Sequence, residues 1–327
     1  GMLRKRRRNP AGNVCPTVLA ACTLFVLLGG GCDGGDGAGG VEGGTVQTVV
    51  PPADLAPPPW PEWALEQWVW EDESTRQSAI ALVEGYRERG IPVGAVIIDS
   101  PWETGYNTFR FDPDLYPDPV SMMEAFRELD VRVMLWIVSM INTDSPNFEE
   151  ARSNGYLLEN GRGEDILAEW WKGTGGMLDY TNPEAVAWWH GQMDQALAQG
   201  IDGWKVDGTD FTGYVANLLG GMCGAAGRVE PEEYSAMYYG DFFSYTRERL
   251  GPDRLITARP VDSYATPIPL AFAPGHVNYA AWVGDQDPTF EGLRDALFNI
   301  FSSSGLRFES DKAYVNLGSD IAGYRGD

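Results

Sequence analysis

From residue 63 onward the chain alternates short apolar runs with longer amphipathic stretches. The runs "QWVW" (67–70), "GAVIID" (94–99), "RVMLWIV" (132–138), "GWKVD" (203–207), "LITAR" (255–259), "NYAAWV" (278–283) and "AYVNL" (313–317) predict strands. Between them, "TRQSAIALVEGYRERG", "DPVSMMEAFRELD", "NPEAVAWWHGQMDQALAQG" and "PEEYSAMYYGDFFSYTRERLG" predict helices. In the third of these, Val186, Trp189, Met193 and Leu197 recur at helical spacing, and Asn182 before Pro183 predicts a cap followed by a first turn. Strands alternating with helices imply a parallel sheet with covered faces. Seven such strands over residues 63–327 predict an α/β fold of the TIM-type (β/α)₈ barrel class, incomplete by one recognisable strand. No GxGxxG or P-loop follows any of the strands, which disfavours a nucleotide site.

The first 62 residues have a different pattern. A basic flank, Arg4 to Arg8, precedes an apolar run from Thr17 to Leu28 and the small residues before Cys32. That order predicts a secretory signal over 1–32. The run is shorter than the roughly 20 residues that span a bilayer. Small residues directly before Cys32 are similar to a bacterial lipobox, so Cys32 is the expected lipidation site and the lipid the only expected membrane attachment. Residues 33–62 are Gly-rich and then Pro-rich, the composition of a tether that starts flexible and stiffens. The expected location is the cell envelope, with secretion as the alternative.

Charge narrows the function. Beyond the signal the chain carries 47 acidic against 19 basic side chains, so a nucleic-acid partner is not expected. Past Cys32 the sole cysteine is Cys223, and the two histidines, His190 and His276, are far apart. Neither a disulfide framework nor a metal site is expected from them. Twelve Trp and 14 Tyr suffice both for a core and for stacking on sugar rings.

Barrel chemistry gathers at the C-terminal ends of strands, and polar residues fall there repeatedly. Asp99, Asp207 and Arg259 end three of the runs, and Asp285 and Asp320 follow two others. A single aspartate after a strand is an ordinary turn residue, but five charged residues at the same end of five strands suggest a site. Paired carboxylates suit glycoside hydrolysis, one as nucleophile or base and the other as acid. A cation such as Lys205 or Arg259 beside the nucleophile favours its ionised form.

These residues carry a resemblance. "GIDGWKVDGTDF" resembles the nucleophile segment of glycoside hydrolase family 31. "VIIDSPWETGYNTFRFDPDLYPDP", "AAWVGDQDPTFEGLR" and "GSDIAGYRG" resemble three further segments of that family and occur in its order, across residues 65 to 327. The resemblance implies Asp207 as nucleophile and Asp285 as acid/base. It places Asp99, Lys205, Arg259 and Asp320 around the sugar, with Trp136, Trp204 and Trp282 as candidate ring contacts; Trp136 and Trp204 lie inside strands, where core packing is an equal reading. Asp210 and Asp287 are implied as supporting acids, with Asp287 the rival for the acid role. It also implies a retaining double displacement on an α-linked sugar, with no metal or organic cofactor. Family members carry β-domains on either side of the barrel and an eighth strand, so a fragment of a longer enzyme is expected. Two other readings are open: a barrel α-galactosidase, and a surface lipoprotein that binds glycans without cleaving them.

Overall fold

A computed structural model of the chain describes residues 61–208, 221–259, 273–303 and 316–319. The expected signal, Cys32, nearly all of the tether, Asp210 and Asp320 lie outside these residues. The described chain opens with a short 3-10 turn, Glu62–Leu65, whose Trp63 and Ala64 are buried.

Five parallel strands form the central sheet, in the order β1 (Trp68–Glu71), β2 (Ala95–Ile98), β3 (Arg132–Val138), β7 (Gly203–Asp207) and β10 (Leu255–Ala258). A second parallel pair joins β11 (Ala281–Trp282) to β12 (Leu317–Gly318). Asn278, just before β11, donates to the Ala258 carbonyl and accepts from its N–H, which ties this pair to β10. Asn316 donates to the Ala64 carbonyl at 2.9 Å and ties β12 back toward β1. Each of the seven parallel strands overlaps or adjoins an expected apolar run, and β3 and β7 match theirs residue for residue.

Helices α1 (Arg76–Glu88), α2 (Pro119–Glu128), α4 (Pro183–Leu197) and α5 (Pro231–Leu250) follow the expected amphipathic stretches. Thr75 and Ser78 form a capping box at α1, and Asn182 accepts from the Glu184 N–H ahead of α4. Along α4, Trp189, Met193 and Leu197 are buried as the spacing requires, while Val186 is half-buried.

The pleat divides the strand side chains between two environments. Val96, Ile98, Val133, Leu135, Trp204, Val206 and Ile256 join the large core beneath the helices. Ala95, Met134 and Leu255 pack with Trp63, Ala64 and Trp68 in a separate cluster. Trp204 therefore packs in the core. It is fully buried, its indole donates to Thr246 Oγ1, and its ring meets Phe109 and Phe242 edge-on.

Several elements were not foreseen. A three-stranded antiparallel sheet, β4 (Met140–Asn142), β5 (Leu167–Trp170) and β6 (Gly173–Met177), follows β3 in the order β4-β6-β5. The hairpin β8 (Met222–Gly224) and β9 (Gly227–Val229) precedes α5, and helices α3 (Phe148–Asn154) and α6 (Phe290–Ser303) complete the set. Cys223 in β8 is disulfide-bonded, contrary to expectation.

Candidate active site

The C-terminal ends of the parallel strands surround a cavity of about 630 Å³. Asp99, Trp136, Lys205, Asp207, Arg259 and Asp285, all named from the sequence, line it. The period-two pleat explains the choice at β7. Lys205 and Asp207 share one face of that strand, and Trp204 takes the other.

Asp99, Lys205, Asp207, Arg259 and Asp285 are nearly buried and compensated, as the cost of burying charge demands. Lys205 Nζ lies 2.8 Å from Asp99 Oδ2, with side-chain exposures of 6% and 9%. The same oxygen accepts from Trp70 Nε1 at 2.5 Å, and Oδ1 accepts from the Ser100 N–H. Lys205 Nζ also stands 5.2 Å from the Trp70 ring and 4.9 Å from the Trp282 ring. These aromatic faces add to the electrostatic seat of the ammonium.

Arg259 links the two carboxylates of greatest interest. Its Nε donates to Asp207 Oδ1 at 3.2 Å and its Nη2 to Asp285 Oδ1 at 2.8 Å. Asp207 Oδ1 also accepts from the Gly208 N–H at 2.9 Å, while Oδ2 accepts from Trp136 Nε1 at 3.2 Å. Gly208 has φ +85°, a conformation that costs a side-chain-bearing residue energy. That turn brings the amide back onto the carboxylate it follows. Tyr238 donates to the Asp207 carbonyl and fixes the strand end from the helix side.

Asp285 and Asp287 separate cleanly. Asp285 has a side-chain exposure of 9% against Arg259 and lines the cavity, whereas Asp287 is exposed and does not. Trp282 sits beside both cations, with the Arg259 guanidinium 4.6 Å from its ring centre, and does not line this cavity.

The sequence did not single out the rest of the wall. Trp70 and Asp72 come from the end of β1, and Glu169 to Lys172 from the β5–β6 turn. The Asp72 carboxyl titrates above the ordinary range because of burial first, then the nearby charges of Asp99 and Glu73. Behind the wall, the segment after β2 is threaded through the interior. Asn107 donates to the carbonyls of Val138 and Met140, and Trp102 to that of Trp136. Inside this loop the buried Glu103 carboxylate accepts from the Phe109 N–H at 2.7 Å. Burial pushes its pKa up to about 8, against the lowering effect of the hydrogen bonds from Phe109, Asn107 and Thr108. The loop carries Tyr106, whose ring meets Trp136 and Trp170 edge-on and whose hydroxyl pairs with Ser100 Oγ.

A larger depression of about 730 Å³ lies between residues 155–163 and the β8–β9 hairpin. It has no aromatic wall and shares no residue with the strand-end cluster.

Parallel strands alternating with helices, and a cluster of compensated acids at their C-terminal ends, define a (β/α)-barrel domain with a hydrolase-like strand-end site. The sequence model for the TIM-barrel domain of glycosyl hydrolases family 31 matches residues 57–327, and the chain belongs to that family. It is 24% identical over 273 residues to an α-xylosidase of Emericella nidulans, covering 81% of this chain and 33% of that protein. With an α-xylosidase of Lactiplantibacillus pentosus the identity is 28% over 152 residues, 45% of this chain and 20% of the other. The fold is similar to that of a family 31 α-xylosidase from a soil metagenome complexed with xylose, with a TM-score of 0.63 at 19% identity over 82% of this chain and 38% of that one. A cycloalternan-degrading enzyme from Trueperella pyogenes gives a TM-score of 0.63 at 21% identity, over 81% of this chain and 40% of the other. The chain thus spans a fifth to a third of the length of these two curated relatives.

Proposed function

We propose that this domain is the catalytic barrel of a retaining α-glycosidase, with Asp207 as nucleophile and Asp285 as acid/base. The observation that carries the reading is the pair of nearly buried carboxylates held by one guanidinium, Arg259, in an aromatic-walled cavity. Asp207 Oδ2, which among the described residues accepts only the Trp136 indole N–H, attacks the anomeric carbon. The bond to the leaving oxygen breaks as that oxygen takes the proton of Asp285. Water then attacks the anomeric carbon, gives a proton to Asp285 and releases Asp207 from the ester. The product keeps the configuration of the substrate.

Arg259 serves both steps. Donating its proton leaves Asp285 as a carboxylate, and the cation beside it compensates the new charge. Asp99, seated by Lys205 and Trp70, offers a fixed acceptor for sugar hydroxyls. Five acids and three bases line the cavity, which favours uncharged sugars over anionic ones. The family relatives named as α-xylosidases support an α-linked substrate. In this reading Asp320 and Asp210 are further contacts of the same site. The basic flank, apolar run and Cys32 support an exported, lipid-anchored enzyme. Cys32→Ser is expected to move the protein from the membrane fraction to the soluble one, and persistent membrane association of that variant contradicts the anchor.

A panel of aryl α-glycosides tests the reading through Asp285. Asp285→Ala is expected to lower kcat/KM by about 10²–10⁴ for substrates whose leaving group needs a proton. The loss for an α-glycosyl fluoride, whose leaving group departs with less help, is expected to be smaller. Equal losses for both substrates contradict Asp285 as the acid.

A further inference from the structure

One buried acid has no part in the chemistry above. Glu103 is 7% exposed and lies in the loop that leads from β2 to α2. Among the described residues no ion pair holds it. A carboxyl without a cation is costly to bury and is found where hydrogen bonds hold it.

Those bonds come from one tight turn. Glu103 Oε2 accepts from the Phe109 N–H at 2.7 Å, and the Asn107 and Thr108 N–H groups turn toward the same carboxyl. Asn107 and Phe109 are in the left-handed region, at φ +63° and +56°. For a residue as bulky as Phe109 that conformation is strained, and its surroundings must hold it. Alternation of hand along a chain points successive N–H groups into one concavity, of the kind that binds anions. Here the concavity encloses the chain's own acid.

The turn seats Tyr106 behind the strand-end cavity. Its hydroxyl pairs with Ser100 Oγ at 2.8 Å, and its ring meets Trp136 edge-on at 6.0 Å. Ser100 and Trp136 line the cavity, and Trp136 donates to Asp207. The turn's other contacts are uncharged. Asn107 reaches the Val138 and Met140 carbonyls, Ser145 and Asn147 donate to its backbone, and the Phe109 ring meets Trp189 and Phe242. The charged neighbours are Asp99 and Asp72, which act on the Tyr106 hydroxyl, and Arg110, which points out to Gln195.

We infer that Glu103 is a positioning residue for the proposed glycosidase: it locks the 104–109 turn and, through Tyr106, the Ser100–Trp136 wall of the cavity. The inference rests on the glycosidase reading above. An uncharged carboxyl suits this dry turn, and burial keeps it uncharged up to about pH 8. Above that pH the new charge draws water into the turn, and Tyr106 loses its seat.

The test follows KM for a 4-nitrophenyl α-glycoside from pH 6 to pH 9, in the full-length protein and its Glu103→Gln and Tyr106→Ala variants. Circular dichroism tracks the fold at each pH. In the wild type KM is expected to rise about tenfold by pH 9 with the fold intact, the ratio of ionised to neutral carboxyl one unit above its pKa. Glu103→Gln keeps an acceptor for the Phe109 N–H and cannot ionise, so its KM is expected to stay level. Tyr106→Ala cuts the link, so its KM is expected to be raised already at pH 6 and to vary little with pH. Any limb that Asp285 adds is common to all three proteins. A KM profile that Glu103→Gln shares with the wild type overturns the inference. So does a rise in KM that appears only as the fold is lost, which assigns Glu103 a structural role alone. A wild-type protein that cleaves none of a panel of aryl α-glycosides overturns the glycosidase reading and this inference with it.

Discussion

Asp207→Asn is expected to abolish hydrolysis, with kcat down by about 10⁴-fold or more, while the protein stays folded. The amide keeps one oxygen, which accepts from either the Gly208 N–H or the Trp136 indole, so one of these two hydrogen bonds survives. What it loses is the charge that attacks the anomeric carbon. Arg259 keeps its second partner, Asp285, so the substitution does not leave a buried cation alone. Far-ultraviolet circular dichroism and thermal unfolding check that the fold survives, and a discontinuous assay on aryl α-glycosides reads the loss. Substantial activity in a folded Asp207→Asn protein contradicts the assignment.

Glu103 is expected to lower the stability of the domain as pH rises from about 4.5 to about 8. Its carboxyl titrates near 8 in the folded state instead of at the ordinary 4.5, because it is buried. Between those values the folded protein retains a proton that the unfolded chain has released, so raising the pH favours unfolding. A shift of this size is worth up to about 5 kcal/mol across the window. Glu103→Gln keeps an acceptor for the Phe109 N–H and removes the titration, so its stability is expected to depend much less on pH. The variant therefore exceeds the wild type in stability at pH 8 more than at pH 5. Denaturant unfolding of both proteins at the two pH values measures the difference, and parallel pH profiles contradict it. The group also bears on activity, since the loop around it carries Tyr106 against Trp136 and Trp170.

Much of the site was legible because charge is rare inside strands. Lys205 and Asp207 stand out in a run that is otherwise apolar, and their burial is tolerable only because Asp99 and Arg259 meet them. The same reasoning separates Asp285 from Asp287, since one pairs with the buried Arg259 and the other is exposed. Of the two readings open for Trp204, sugar contact and core packing, its burial against Phe109 and Phe242 fits the second, and the two-residue period of the strand already puts it opposite Lys205. Trp70 went unnoticed, yet it alternates with Trp68 toward the same side of β1, and an aromatic at a strand's C-terminal end was the available signal.

The antiparallel sheet that supplies Trp170, Trp171 and Lys172 was not legible. Its β6 sequence, "GTGGM", has the composition of a loop. Those glycines allow close packing: a side chain on Gly175 would stand 2.8 Å from Met140 Cβ. Backbone proximity of that kind is set by the partner strand and leaves no periodic pattern to read. Helix α6 is a different case. Phe290, Leu293, Leu297, Phe298 and Phe301 recur at helical spacing along it, a stripe that was there to read in the sequence; the same residues are exposed among the described residues.

The most direct test of the central claim is covalent trapping. A fluorinated α-glycosyl fluoride forms the glycosyl-enzyme faster than water removes it, and peptide mass spectrometry then locates the sugar. The account predicts one sugar per chain, esterified to Asp207 and absent from Asp207→Asn. A sugar on any other residue, or turnover with inverted product and no adduct, contradicts it.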